Sequence, residues 1–164
     1  MNRSMFYQRL FATLARHDVR YLLVGGLAVN IHGIPRMTMD VDVIIALDPE
    51  NVDHFIAAVA ALGLRPVLPV TMAELADPAK RREWVEQRNR VAFALRAQEA
   101  GVPTVDVMLG IELQFEVAYR RRVVRDLDGV AIDVAAIADL IAMKGQSGRE
   151  QDRYDIEHLR KLER

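Results

Sequence analysis

Three aspartates in this chain stand where a β-strand would normally carry apolar residues. Two belong to Asp40-Val41-Asp42, which runs on into Val43-Ile44-Ile45. The third is Asp106, inside Val105-Asp106-Val107-Met108-Leu109. Side chains two apart on a strand share a face and stand roughly 6.6 Å apart along it. Asp40 and Asp42 therefore point one way, Val41 and Val43 the other. Carboxylates on one face repel, and desolvating them is costly unless a positive charge compensates. Aspartate is also a poor strand former, and local violations of this kind mark functional sites. A divalent cation, Mg2+ or Mn2+, would offset the repulsion, because such hard ions take carboxylate, phosphate and water oxygens. The plain alternative is a solvated strand end. If the Asp106 strand lies beside the Asp40–Asp42 strand, three carboxylates converge. Metal ions held there could clamp the attacking and leaving oxygens of a phosphoryl transfer. Asp106 is then the candidate general base for the attacking group.

Upstream, Arg20 to Val24 is a short apolar run that stops at Gly25-Gly26. It reads as a buried strand entering a tight turn before a helix. Two glycines there let main chain approach a ligand closely, and a helix start offers unpaired N–H groups to an anion such as a phosphate. The alternative is a simple strand-to-helix corner.

The elements that must position these groups follow from periodicity. Residues 4–16 place Met5, Leu10, Phe11 and Leu14 at near-helical spacing. Leu27 to His32 reads as a short helix closed by Gly33, and His32 as a helix-end residue. Asp40 to Leu47 is a strand, and Asp48-Pro49-Glu50 opens a helix to about Leu62, stopped by Gly63. Residues 72–88 read as one charged helix. Val91 to Arg96 and Thr104 to Leu109 are strands around Gly101-Val102-Pro103, plausibly a hairpin. The 122–134 region holds two short strands around Asp128-Gly129, and helices at about 136–145 and 149–162 follow. The consecutive strands late in the chain argue against a simple alternating parallel sheet. The expected class is α/β (α+β): a mixed sheet with helices mainly on one side. A single domain is expected over 1–164, with its core at about 18–135 and C-terminal helices at about 136–163.

Composition narrows the function classes. With 164 residues, 51% of them hydrophobic and 27% charged, a real core can form. The absence of cysteine excludes disulfides, thiolate zinc sites and cysteine nucleophiles, and fits a reducing cytoplasm. No stretch approaches the roughly 18 apolar residues of a membrane helix, and the N-terminus does not read as a signal peptide. The net charge of −1 gives the whole chain no strong pull on nucleic acid. Lys80-Arg81-Arg82 and Arg120-Arg121-Arg122 read first as solvated faces. Arg81, Arg82, Trp84, Arg88 and Arg90 could line a groove for RNA, although Trp84 reads first as a packing residue.

The run from Val24-Gly25-Gly26 through His32-Gly33 and Arg36-x-Thr38-x-Asp40-Val41-Asp42, with Asp106 on a later strand, resembles the signature of the polymerase-beta-like nucleotidyltransferase superfamily. The details look most like its bacterial abortive-infection and toxin–antitoxin group. Asp139 to Lys144, followed by Gly148-Arg149-x-x-Asp152-x-x-Asp155, adds to that likeness. The resemblance implies a magnesium site at Asp40, Asp42 and Asp106, and binding of a nucleoside triphosphate. Gly25 and Gly26 would face its phosphates, Arg36 and Thr38 would lie near the site, and Lys144 would contact the nucleotide. Lys144 and Arg149 could instead pair with Asp152 and Asp155 at helical spacings. The implied reaction transfers a nucleoside monophosphate to a hydroxyl of RNA (a transfer RNA end, for example), protein or a small molecule. The alternatives are an inactive antitoxin-like or nucleotide-binding partner of a cognate toxin or antitoxin protein, and an antibiotic nucleotidyltransferase.

Overall fold

A computed structural model describes residues 1–88, 92–111, 113–145 and 149–163. Arg90, Val91 and Gly148, which figure in the expectations above, lie outside the described residues. Helix α1 (Arg3–Arg16) is capped by Asn2, whose side chain accepts from the Met5 N–H, and buries Phe6, Leu10, Phe11 and Leu14. Met5, expected in that stripe, is 54% exposed. The inward face begins one residue later, at Phe6, because 6, 10 and 14 keep the i, i+4 spacing.

Strand β1 (Tyr21–Val24) is buried throughout. Helix α2 (Gly25–Ile31) follows without a turn, so both glycines form its first turn rather than a loop before it. Strand β2 (Val41–Ile45) starts one residue after Asp40. Helix α3 (Pro49–Ala61) is capped by Asp48, with Pro49 at its first position. Strand β3 (Arg65–Pro66) is a two-residue edge that the sequence reading lacks.

The single charged helix expected over 72–88 is two. Helix α4 (Met72–Ala76) has a Thr71–Glu74 capping box, and α5 (Pro78–Glu86) is capped by Asp77. Proline at the first position of a helix ends the preceding one, since residue 77 is pushed to extended backbone. Strands β4 (Ala92–Arg96) and β5 (Val105–Met108) form the expected antiparallel hairpin. Helix α6 (Phe115–Arg120) was not expected. Strands β6 (Val123–Leu127) and β7 (Val130–Val134) pair around Asp128-Gly129. Both turn residues have positive φ, as a two-residue hairpin of this hand requires. Helices α7 (Ile137–Gly145) and α8 (Glu150–Leu162) follow.

The seven strands form one mixed sheet in the order β3-β4-β5-β2-β1-β7-β6. β2 runs antiparallel to β1 and parallel to β5. Val41, Val43, Val105 and Val107 are buried on one face of the central strands, in the same core cluster as Phe11, Phe55 and Phe93. Asp42, Asp106 and Met108 alternate with them and turn to the other face. Among the described residues no helix is long and apolar enough to cross a membrane.

One buried amide joins the sheet to α3. The Asn51 side chain accepts from the Arg20 N–H at 2.7 Å and donates to the carbonyls of Arg20 and Ala46, at 3.0 and 2.8 Å. It closes the far ends of β1 and β2. Asn51→Ala strands the Arg20 N–H and the Ala46 carbonyl, while the Arg20 carbonyl keeps the Ala46 N–H at 3.2 Å, and a loss of about 2–4 kcal/mol is expected. Urea unfolding of the pair of proteins measures it. An unchanged midpoint and slope would mean that water replaces the amide without cost.

Candidate active site

The sheet register sets the site. Val24 of β1 lies opposite Asp42 of β2, and Asp42 lies opposite Asp106 of β5. The end of β1, and so the start of α2, is thereby brought beside two carboxylates from neighbouring strands. Gly25 has φ +70°, and a Cβ placed on it would come within 2.1 Å of Asp42 Oδ2. Glycine is required there twice, by backbone conformation and by the carboxylate lying against it. A Cβ at Gly26 would meet Thr38 Oγ1 at 2.9 Å and Arg36 Cζ at 3.2 Å. Two of the three expected site residues in the 35–40 segment, Arg36 and Thr38, therefore lie against Gly26.

The Asp42 and Asp106 carboxyls lie side by side across β2 and β5, within hydrogen-bonding reach. Burial, the charge of Asp106, that contact and the charge of Asp40 together push the Asp42 carboxyl up to about 7, against a smaller opposing pull from Lys144. Burial, then Asp40, raises Asp106 as well. Asp40 sits at the exposed head of β2, where its Oδ1 accepts from the Thr104 N–H at 3.2 Å and its charge still reaches the pair. Among the described residues no group of three or more His, Cys, Asp or Glu side chains is gathered tightly enough to hold an ion. The observed pair nevertheless fits Mg2+, which is usually bound through one or two carboxylates, with phosphate and water oxygens completing the shell. Two facing carboxylates are the donor set a divalent cation would relieve.

Asp42 of the pair borders a cleft of about 510 Å3. Val24, Gly25, Asp42, Lys144, Arg149 and Asp152 line one part of it, and Met108, Leu109, Ile111, Leu140 and Met143 give it an apolar wall. A cleft of this volume fits a small-molecule ligand. The stretch from Leu109 to Ile111 is kept against α5 by Gly110, where a Cβ would clash with Val85 at 2.7 Å. Sequence reasoning missed this wall, because its members come from two elements far apart in the chain.

Lys144 is 9% exposed, and its Nζ lies 2.9 Å from Asp155 and 3.3 Å from Asp152. Asp155 is fully buried and also takes an ion pair from Arg36, while Arg149 Nε reaches Asp152 at 2.9 Å. The pairing expected from helical spacing is therefore present, and Lys144 borders the cleft as well. Arg36 carries the network back to the segment before Asp40. Arg121 fixes the start of α7 by a two-point ion pair with the buried Asp139, one bond at 2.8 Å. His32 closes α2 against the Ala135 carbonyl at 2.8 Å. Trp84 is buried against Phe93, with ring centroids 5.5 Å apart, as expected of a packing residue.

The family model described as "Nucleotidyl transferase AbiEii toxin, Type IV TA system" matches residues 8–163. No curated protein matches by sequence. The fold is similar to a lincomycin-bound crystal structure of the lincosamide antibiotic adenylyltransferase LnuA. Identity is 15% and the TM-score 0.61, over 99% of this chain and 98% of that one. It is also similar to an antigenic nucleotidyltransferase-like protein from Paracoccidioides brasiliensis, at 16% identity and TM-score 0.59, over 98% and 75%. A third is ANT(2")-Ia in complex with adenylyl-2"-tobramycin, at 12% identity and TM-score 0.57, over 99% and 94%.

The raised Asp42 carboxyl gives a pH dependence with a definite sign. The folded protein binds the proton between the unfolded value of 3.8 and about 7. This contribution to stability is present below that window and is lost as pH rises through it. A cation competing for the pair should raise the melting temperature more at about pH 8 than at about pH 5. Thermal melts with and without MgCl2 at both values check this, with Asp42→Asn as the control that removes the difference. An equal magnesium effect at both values would mean that the ion binds elsewhere.

Proposed function

The chain belongs to the AbiEii nucleotidyl transferase toxin family of type IV toxin–antitoxin systems, and from that premise we propose that it is a Mg2+-dependent enzyme moving a nucleoside monophosphate from a triphosphate to a hydroxyl. Nucleotidyl transfer is the activity of the family. The metal, the site residues and the acceptor are the finer reading. The observation that carries it is the register placing Asp42 beside Asp106, with Asp42 and Lys144 lining one cleft.

In this reading Asp42 and Asp106, with Asp40 at the rim, hold the divalent cation. When bound, it neutralises charge on the phosphates and lowers the barrier to displacement at the α-phosphorus. The chain's own groups do the rest. Gly25 and Gly26 let the main chain approach the phosphates. Lys144 supplies a cation at the cleft wall, oriented by Asp152 and Asp155. Arg36 and Thr38 border the phosphate end beside Gly26. The apolar wall of Met108, Leu109, Ile111, Leu140 and Met143 takes the nucleoside and excludes water. The acceptor oxygen forms a bond to the α-phosphorus as the bond to pyrophosphate breaks, and Asp106 receives the hydroxyl proton. Its raised proton affinity suits that task. The whole chain is taken as one catalytic domain. The acceptor is a hydroxyl of RNA, protein or a small molecule, in a toxin–antitoxin or phage-defence setting.

The test supplies MgCl2 and each labelled triphosphate with total RNA, a protein lysate or a panel of drug hydroxyls. Pyrophosphate release and label transfer are measured for wild type, Asp42→Asn and Asp106→Asn. Transfer to one acceptor class, lowered about 10²–10⁴-fold in Asp106→Asn, is the expected result. Transfer that persists in both variants would remove the carboxylate pair from the mechanism. Tight triphosphate binding without transfer to any acceptor would favour the nucleotide-binding partner instead.

A further inference from the structure

The 35–40 segment has no regular secondary structure, yet it carries Arg36, Thr38 and Asp40. Its side chains alternate. Arg36 and Thr38 lie against Gly26, whereas Met37 and Met39 face solvent, Met37 at 98% exposure. No packing of those outward residues can hold the segment. Side chains from elsewhere hold its main chain instead. Asn30 brackets Arg36, donating to its carbonyl at 2.7 Å and accepting from its N–H at 3.2 Å. Arg3 donates to the Thr38 carbonyl at 3.3 Å, and the Tyr7 hydroxyl donates to the Met39 carbonyl at 2.8 Å. The last bond falls on the residue immediately before Asp40.

We propose that Tyr7, assisted by Arg3, is a positioning residue for the nucleotidyl-transfer site: from the start of α1 it fixes the main chain that delivers Asp40. The inference rests on the reading that the aspartates hold a divalent cation. Arg3 and Tyr7 are one helical turn apart on the same side of α1, so both reach the same strip of backbone. Arg3 lies beside the Tyr7 side chain, and Tyr7 is close enough to sense the charge of Asp40. Burial, more than these neighbours, raises its proton affinity, so the hydroxyl remains a donor at neutral pH. The Tyr7 ring contacts Phe6, with centroids 6.2 Å apart, and Tyr7→Phe keeps that ring while deleting the bond. Partners that orient a metal ligand typically matter by 10–100-fold in affinity.

The probe is MnCl2 alone, titrated by electron paramagnetic resonance into wild type, Tyr7→Phe, Arg3→Met and Asp42→Asn, with a thermal melt of each. Wild type should bind Mn2+ and Asp42→Asn should not. Tyr7→Phe should bind about 10-fold more weakly at an unchanged melting temperature, with Arg3→Met weakened in the same direction. In turnover assays, added MgCl2 should restore much of the rate lost by Tyr7→Phe. Equal Mn2+ affinity in wild type and both variants would overturn the role of Tyr7 and leave the metal reading standing. A wild type that binds no Mn2+ would overturn both. If Tyr7→Phe fails to fold, the exposed Arg3→Met carries the same comparison.

Discussion

The site exists because three strands keep one register. Val24, Asp42 and Asp106 stand in a row across β1, β2 and β5. A slip of one residue would turn Val41 and Val43 outward and send Asp42 into the core. Two facing carboxylates oppose the arrangement. Carrying Asp42 from 3.8 to about 7 costs on the order of 4 kcal/mol once both groups are ionised. The opposite face answers with Val41, Val43, Val105 and Val107, all buried, each contributing about 1.5–3 kcal/mol. The apolar face thus holds the register that sets the carboxylates side by side.

A second charge system borders the same cleft. Arg36, Lys144 and Arg149 meet Asp152 and Asp155 on the inner face of α8. Buried charges survive only when paired, and here the pairing fastens α8 to α7 and to the segment before β2. Lys144 contributes to both systems, because its field reaches Asp42 although burial and Asp106 outweigh it.

Much of this was legible. An Asp-x-Asp entering a β-branched run, a Gly-Gly pair after an apolar strand, and the Asp128-Gly129 turn each imply local geometry, and the strands around them form as read. Parts that depend on tertiary contact were not legible. Strand β3 is too short to carry a period, and α6 has six residues. Asp77-Pro78 could be read as interrupting the charged helix, yet continuous helix-forming composition hid the break. Asp40 precedes β2, which begins at Val41, and its Oδ1 takes the Thr104 amide while its charge still reaches Asp42 and Asp106; that amide contact comes from across the chain and has no local signal. The reach of Arg3 and Tyr7 to residues 38 and 39 spans more than thirty positions, and no local pattern encodes it.

The fastening of residues 35–40 through main-chain atoms has an evolutionary side. Carbonyl and amide groups are the same whatever side chain a residue carries, so bonds to Thr38 and Met39 through their carbonyls survive substitution at the outward positions. Met37 and Met39 can therefore drift in chemical type while the carboxylates beside them stay in place. The outward face of this segment is a surface that selection can rewrite separately from the reaction centre.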